Sequence, residues 1–173
     1  MSIAQELYEG IEVEGIGLTA LITYMRTDSL RISEEALDEV RTYIGLTYGE
    51  DYRPASPRHY KSRGGAQDAH ETIRPITMML PPEKVKGAIP RDAYRLYKLI
   101  WDRFVACQME PQVLNVVSVD VEAGDYLFKA SGHTVQFPGY TAVYEETTED
   151  AEESAGKLPE LEKGEILTLE ELS

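Results

Sequence analysis

Apolar residues recur at helical spacing in three stretches of the chain. Ile3, Leu7 and Tyr8 share a face over 3–9, which predicts a short helix. Ser2 and Gln5 match a capping box, with Ser2 as N-cap and Gln5 reaching back. Gly10, Gly15 and Gly17 then interrupt the pattern. Ala36, Leu37, Val40, Tyr43 and Ile44 predict a second helix over 34–44. Ser33 is its N-cap, and Glu34 and Glu35 lie on the positive end of the helix dipole. Ala93, Leu96, Tyr97, Ile100, Trp101, Phe104 and Cys107 form the clearest stripe, a helix over 91–108 with Pro90 in its first turn. Between the first two helices, Leu18 to Met25 (LTALITYM) is apolar and partly β-branched, as in a strand or buried extended segment. Residues 45–67 read as loop, 67–73 as a short helix ended by Pro75, and 83–87 as a helical turn.

After Pro111 the period changes to two. Val113, Asn115, Val117, Val119 and Val121 alternate with Leu114, Val116, Ser118, Asp120 and Glu122. Gly124 marks a turn, and Tyr126 begins a second strand. Residues 145–160 are acidic and poor in large apolar groups, so they read as a mobile loop, and 165–169 is a further strand candidate. Helices first and strands afterwards give an α+β order, with a helical part over 1–109 and a β-rich part over 110–173. A helix begins at the first residues and the last residues give no terminal structure, so both ends read as cut.

Composition narrows the class. The chain has 173 residues, 42% hydrophobic and 28% charged, enough for a real core. No apolar run is long enough for a membrane span, and no signal-peptide pattern opens the chain. A lone cysteine, Cys107, excludes an internal disulfide framework and fits a reducing compartment, so the cytoplasm is the expected location. His59, His70 and His133 are too scattered for zinc, and no carboxylate cluster has metal-ligand spacing. Net charge is −14, which by itself argues against nucleic-acid binding. The charge is uneven, however: −8 over 1–52, +6 over 53–103, −3 over 104–144 and −9 over 145–173. A basic middle is what phosphate binding requires, and also what an ordinary solvated surface can carry.

Two segments carry possible chemistry. In Ile22-Thr23-Tyr24-Met25-Arg26-Thr27-Asp28-Ser29 a tyrosine stands two residues from an arginine. In extended backbone such positions point to one side. A phenol titrates near ~10 and is a weak nucleophile at neutral pH. A guanidinium beside a phenol favours the phenolate and can hold a phosphate oxygen, which suits attack on a phosphodiester. Spacing alone fits a strand-end tyrosine beside a surface arginine as well, and that arrangement is the commoner one. In Gln67-Asp68-Ala69-His70-Glu71-Thr72-Ile73-Arg74-Pro75, a helix would place Gln67, His70 and Arg74 on one face. Imidazole and guanidinium together can stabilise the charge of a reacting phosphate, although a surface helix with an ordinary histidine has the same composition.

Taken in order, the two segments are more specific. LITYMRTDS resembles the GLITYMRTDS active-site motif of bacterial type IA DNA topoisomerases, and AHETIRP resembles the AHEAIRP motif that follows it there. MSIAQELYEG and LYKLIWDRFVACQM resemble the same family, so the likeness spans most of 1–144. Ala20, Thr72 and Ile76 depart from the usual Gly, Ala and Thr, and none of these changes removes a reactive group. The resemblance implies an isomerase that relaxes negatively supercoiled DNA without ATP. A tyrosine cuts one strand, becomes linked to its 5′ end, and the break is resealed after strand passage. It implies Tyr24 as nucleophile, Arg26 as the group positioning Tyr24 and the phosphate, and His70 on the scissile-strand phosphate. Arg63, Gln67 and Arg74 would contact DNA, and Asp28 would orient Arg26 or His70. It further implies a helical gate domain over 1–109, followed by a piece of the arch over 110–173. The family's Mg2+ would be bound by a Toprim domain with no counterpart here, leaving no metal site in this chain and the fragment inactive alone. The implied partners are single-stranded or negatively supercoiled DNA and that Toprim domain, in a nucleoid-associated cytoplasmic enzyme with no membrane contact. A non-catalytic DNA-binding or protein-interaction module of the same shape is the alternative.

Overall fold

The structure is a computed structural model that describes residues 2–60, 70–144, 158–159 and 161–168. It divides into two compact units, Met1–Gln112 with Pro138–Glu145, and Val113–Phe137 with Glu146–Ser173. Helices and antiparallel strands make an α+β fold.

The first unit begins with helix α1 (Ser2–Glu9) and the hairpin β1 (Ile11–Val13) and β2 (Gly17–Thr19). Ser2 lies inside the helix, and Gln5 donates forward to Glu9 at 2.6 Å, so the capping box does not form. Helix α2 (Glu34–Thr47) is capped as expected, with the Ser33 side chain accepting from the Ala36 N–H. A 3-10 turn (Glu50–Tyr52) and the short helix α3 (Pro82–Val85) lead to α4 (Arg91–Cys107). Pro90 is the N-cap of α4, one place earlier than a first-turn position.

The stripe on α4 organises the core, because one apolar face along a helix of this length can reach several neighbours at once. Ala93, Tyr97, Trp101, Phe104 and Val105 are buried there with Leu7 of α1, Val40 and Ile44 of α2, Val85 of α3, and Val13, Leu21 and Ile22. Trp101 stands edge-on to Tyr43 at 5.3 Å between ring centroids. The buried Tyr97 hydroxyl is satisfied by the Leu80 carbonyl at 2.7 Å. Gln108 is also fully buried. Its side-chain amide donates to the Arg58 carbonyl and accepts from the Arg58 N–H, so the buried amide is paired on both sides.

Pro138–Glu145 belongs to the first unit, and a glycine allows its close approach. Gly139 has φ +53°, and a Cβ there would lie 2.3 Å from the Pro111 carbonyl oxygen. Tyr140 N–H donates to the Glu110 carbonyl at 2.9 Å at the same point. Gly139→Ala therefore combines a left-handed backbone with a backbone clash. It should destabilise the chain by about 2–4 kcal/mol, read as a lower urea midpoint. An unchanged midpoint would mean the Pro111 contact yields without strain.

The second unit contains the antiparallel ribbon β3 (Val113–Ala123) and β4 (Tyr126–Phe137), joined at Gly124 with φ +62°. A positive φ at such a two-residue turn suits glycine. The strand candidate at 165–169 does not form over 165–168. The acidic loop expected at 145–160 lies mostly outside the described residues.

Candidate active site

Two chain segments far apart in sequence are laced together around Tyr24. Ile22 forms an antiparallel bridge with Pro75, and Ile76 N–H donates to the Leu21 carbonyl at 3.1 Å. Thr23 N–H donates to the Arg74 carbonyl at 2.9 Å. The Thr23 hydroxyl donates to the Thr72 carbonyl at 2.8 Å and accepts from the Arg74 N–H at 3.0 Å. Further along, the buried Ser29 hydroxyl donates to the His70 carbonyl at 2.6 Å, and Thr72 N–H donates to the Arg31 carbonyl. Each contact satisfies a backbone group that would otherwise be unpaired in a region without regular ladders. Thr23 and Ser29 were not singled out in the sequence. Their only signal was being hydroxyl residues on either side of the tyrosine, and small hydroxyls bond backbone readily.

Several expectations change here. Residues 70–73 are not helical. Pro75 lacks a backbone N–H, and the segment pairs with 21–31 instead, so His70 and Arg74 do not share a helix face. Between Tyr24 and Arg26 the backbone is not a regular strand either. Arg26 N–H donates to the Tyr24 carbonyl at 2.9 Å, closing a tight three-residue turn, so simple side-chain alternation does not apply. Gln67, Asp68 and Arg63 lie outside the described residues.

Tyr24 is 49% exposed. Its ring lies 6.0 Å from that of His70 and 5.2 Å from that of Tyr8. The exposure sets it apart from the core tyrosines. Burial pushes the Tyr97 hydroxyl well above the usual phenol range, and burial together with the neighbouring Tyr43 does the same to Tyr48. Those phenols resist ionisation.

The charged groups are already paired. Arg26 Nε meets Asp28 Oδ2 at 2.9 Å. Arg74 is different. Its side chain is only 12% exposed, and Nε and one terminal nitrogen both donate to Glu71 Oε2. The other terminal nitrogen donates to the Pro75 carbonyl at 2.8 Å. With all three guanidinium nitrogens engaged, Arg74 braces the segment behind His70 and has little surface to offer a DNA phosphate. His70 Nδ1 and Asp28 Oδ1 are enclosed without a hydrogen-bond partner among the described residues. Unpaired buried polar atoms are rare in folded proteins, and one of them is on the His70 ring beside Tyr24.

The arrangement presents an accessible phenol, a guanidinium fixed by its carboxylate, and an imidazole, all carried by hydrogen-bonded backbone. Comparison with known proteins identifies the family. A family model described as DNA topoisomerase matches residues 1–173. The chain is similar to full-length topoisomerase I from Thermotoga maritima, with 36% sequence identity and a TM-score of 0.72. That match covers 94% of this chain and 25% of the other, so the chain spans about a quarter of the length of that enzyme. The chain belongs to the DNA topoisomerase family.

Proposed function

We propose that this chain is the tyrosine-bearing part of a type IA DNA topoisomerase that relaxes negatively supercoiled DNA by transient cleavage of one strand. The observation that carries the reading is the half-exposed Tyr24 held beside His70 on two interlaced segments. In the proposed reaction the Tyr24 Oη attacks a backbone phosphorus and the bond from phosphorus to the 3′ oxygen breaks. The phenol proton passes to solvent or a base, and the leaving 3′ oxygen takes up a proton. The product is a 5′-phosphotyrosine and a free 3′ hydroxyl. Resealing is the reverse step, and the phosphotyrosine conserves the bond energy, so ATP is not required.

Arg26, oriented by Asp28, would hold a non-bridging phosphate oxygen, and a guanidinium does this well because its N–H groups are fixed in a plane. His70 would share the developing charge. Thr23 and Ser29 would keep both groups in register with Tyr24 through the backbone. Among the described residues no group of three His, Cys, Asp or Glu side chains could hold a metal ion. Metal binding is assigned in this proposal to a Toprim domain elsewhere in the parent protein, and the isolated chain would be inactive in relaxation. Among the described residues, no helix is long and apolar enough to cross a membrane. A nucleoid-associated cytoplasmic enzyme is the proposed setting.

The test is reconstitution. This chain is mixed with a Toprim-containing piece of the parent, Mg2+ and a labelled single-stranded oligonucleotide. A covalent adduct at a 5′ phosphate is expected, and none without the added piece. If no adduct forms while the same piece works with another tyrosine-bearing partner, the cleavage role is wrong. A non-catalytic DNA-binding module then becomes the better account.

A further inference from the structure

Tyr8 lies outside both motifs, yet its ring packs against the nucleophile proposed above. The two centroids are 5.2 Å apart and the planes meet at 64°, an edge-on contact. Tyr8 is 38% exposed, while its neighbour Leu7 is fully buried and anchors α1. The Leu7 carbonyl accepts from Leu21 N–H at 2.8 Å and from Ile22 N–H at 3.3 Å. One carbonyl therefore ties α1 to the extended segment at Leu21 and Ile22 just ahead of Tyr24, and α1 is itself packed on α4. The positions of Tyr8 and Tyr24 are thus set by the core.

We infer that Tyr8 is a positioning residue for Tyr24: its ring, held by α1, restricts the rotamers open to the phenol and aims the Oη at the phosphorus. This rests on the reading of Tyr24 as nucleophile. A half-exposed tyrosine on irregular backbone has several staggered side-chain wells available. Attack needs the reacting atoms aligned and within roughly 3.5 Å, which one well satisfies better than the others. An edge-to-face aromatic contact is strong enough to enrich one well about two- to tenfold. The effect requires the flat ring of Tyr8 and not its hydroxyl.

The experiment uses the full-length parent enzyme, a saturating labelled single-stranded oligonucleotide and single-turnover cleavage. Tyr8→Ala should lower the cleavage rate constant about two- to tenfold with the oligonucleotide Kd unchanged, and Tyr8→Phe should cleave at the parent rate. If the alanine variant does not fold, Tyr8→Leu takes its place, with the same expected loss because bulk is kept and the ring removed. Four results would overturn the inference. One is an unchanged rate in the variants that lack the ring. Another is weakened oligonucleotide binding at unchanged rate, which would make Tyr8 a DNA contact. A third is an equal loss in Tyr8→Phe, which would assign the effect to the hydroxyl. The last is a rate loss restored by cooling below the variant's melting transition, which would mark plain destabilisation. Tyr24→Phe run alongside separates the two readings, since an adduct surviving in that variant would remove the nucleophile assignment itself.

Discussion

Phenylalanine at position 24 is expected to abolish the covalent protein–DNA adduct while leaving the fold intact. The substitution removes one hydroxyl and keeps the ring that meets Tyr8 and His70. Tyr24 is half exposed, so stability should change by no more than about 0.5 kcal/mol. The chemical loss is of another order, because no other group on the interlaced segments can replace a phenol oxygen as nucleophile. Loss of a covalent nucleophile typically costs a factor on the order of 10^4 or more. The reconstituted system reads this as disappearance of the labelled adduct on a denaturing gel. Melting of the variant chain should match the parent within a degree or two. An adduct that persists in Tyr24→Phe would mean that another tyrosine makes the bond. Tyr8 would be examined first, since its exposed phenol ring meets that of Tyr24.

Trp101→Ala is the substitution expected to damage the fold most. Trp101 is 2% exposed on α4, edge-on to Tyr43 and 6.0 Å from the ring of Tyr97. Truncating a buried tryptophan removes its transfer free energy and leaves a cavity that the neighbours fill only in part. Such changes cost about 3–5 kcal/mol. A domain with a total stability of roughly 5–15 kcal/mol loses a large share of it, and the melting temperature should fall by roughly 10–20 °C. Circular dichroism at 222 nm would follow the variant, which lacks the chain's one tryptophan. The consequence reaches the site, because α1 packs on α4 and the Leu7 carbonyl holds the segment leading to Tyr24. A melting shift of only a few degrees would show that the core closes around the gap and that α4 is less central than its stripe suggests.

Much of the architecture was legible in the sequence. The helices at α2 and α4 stand where apolar periodicity places them, because period 3.6 reports which residues must face a core, and the ribbon β3–β4 stands where period two places it although nearly all its residues are exposed. Gly124 marks its turn correctly, since a tight hairpin needs a positive φ that glycine adopts freely. The short elements were less legible. The hairpin β1–β2 is too brief to show alternation, and the expected helix at 67–73 is absent over 70–73. A few residues of moderate helical preference around His70 were overruled by pairing with 21–31, since tertiary hydrogen bonds outweigh weak local propensity.

The candidate site divides in the same way. The sequence alone determined that an apolar segment ends in Tyr24 and Arg26, that His70 follows at a distance, and that these residues resemble a topoisomerase motif. It also determined that residues 91–108 form a helix with a clear apolar stripe from Ala93 to Cys107. Only the tertiary structure decided that Thr23 and Ser29 bind the second segment's backbone, that Arg74 is enclosed by Glu71 and two carbonyls, and that Tyr8 meets Tyr24. The reason is physical. Periodicity reports which face of an element avoids water, and that is a local property. Which side chains touch depends on where separate segments are brought together, across a sequence separation of 49 residues in the case of Thr23 and Thr72.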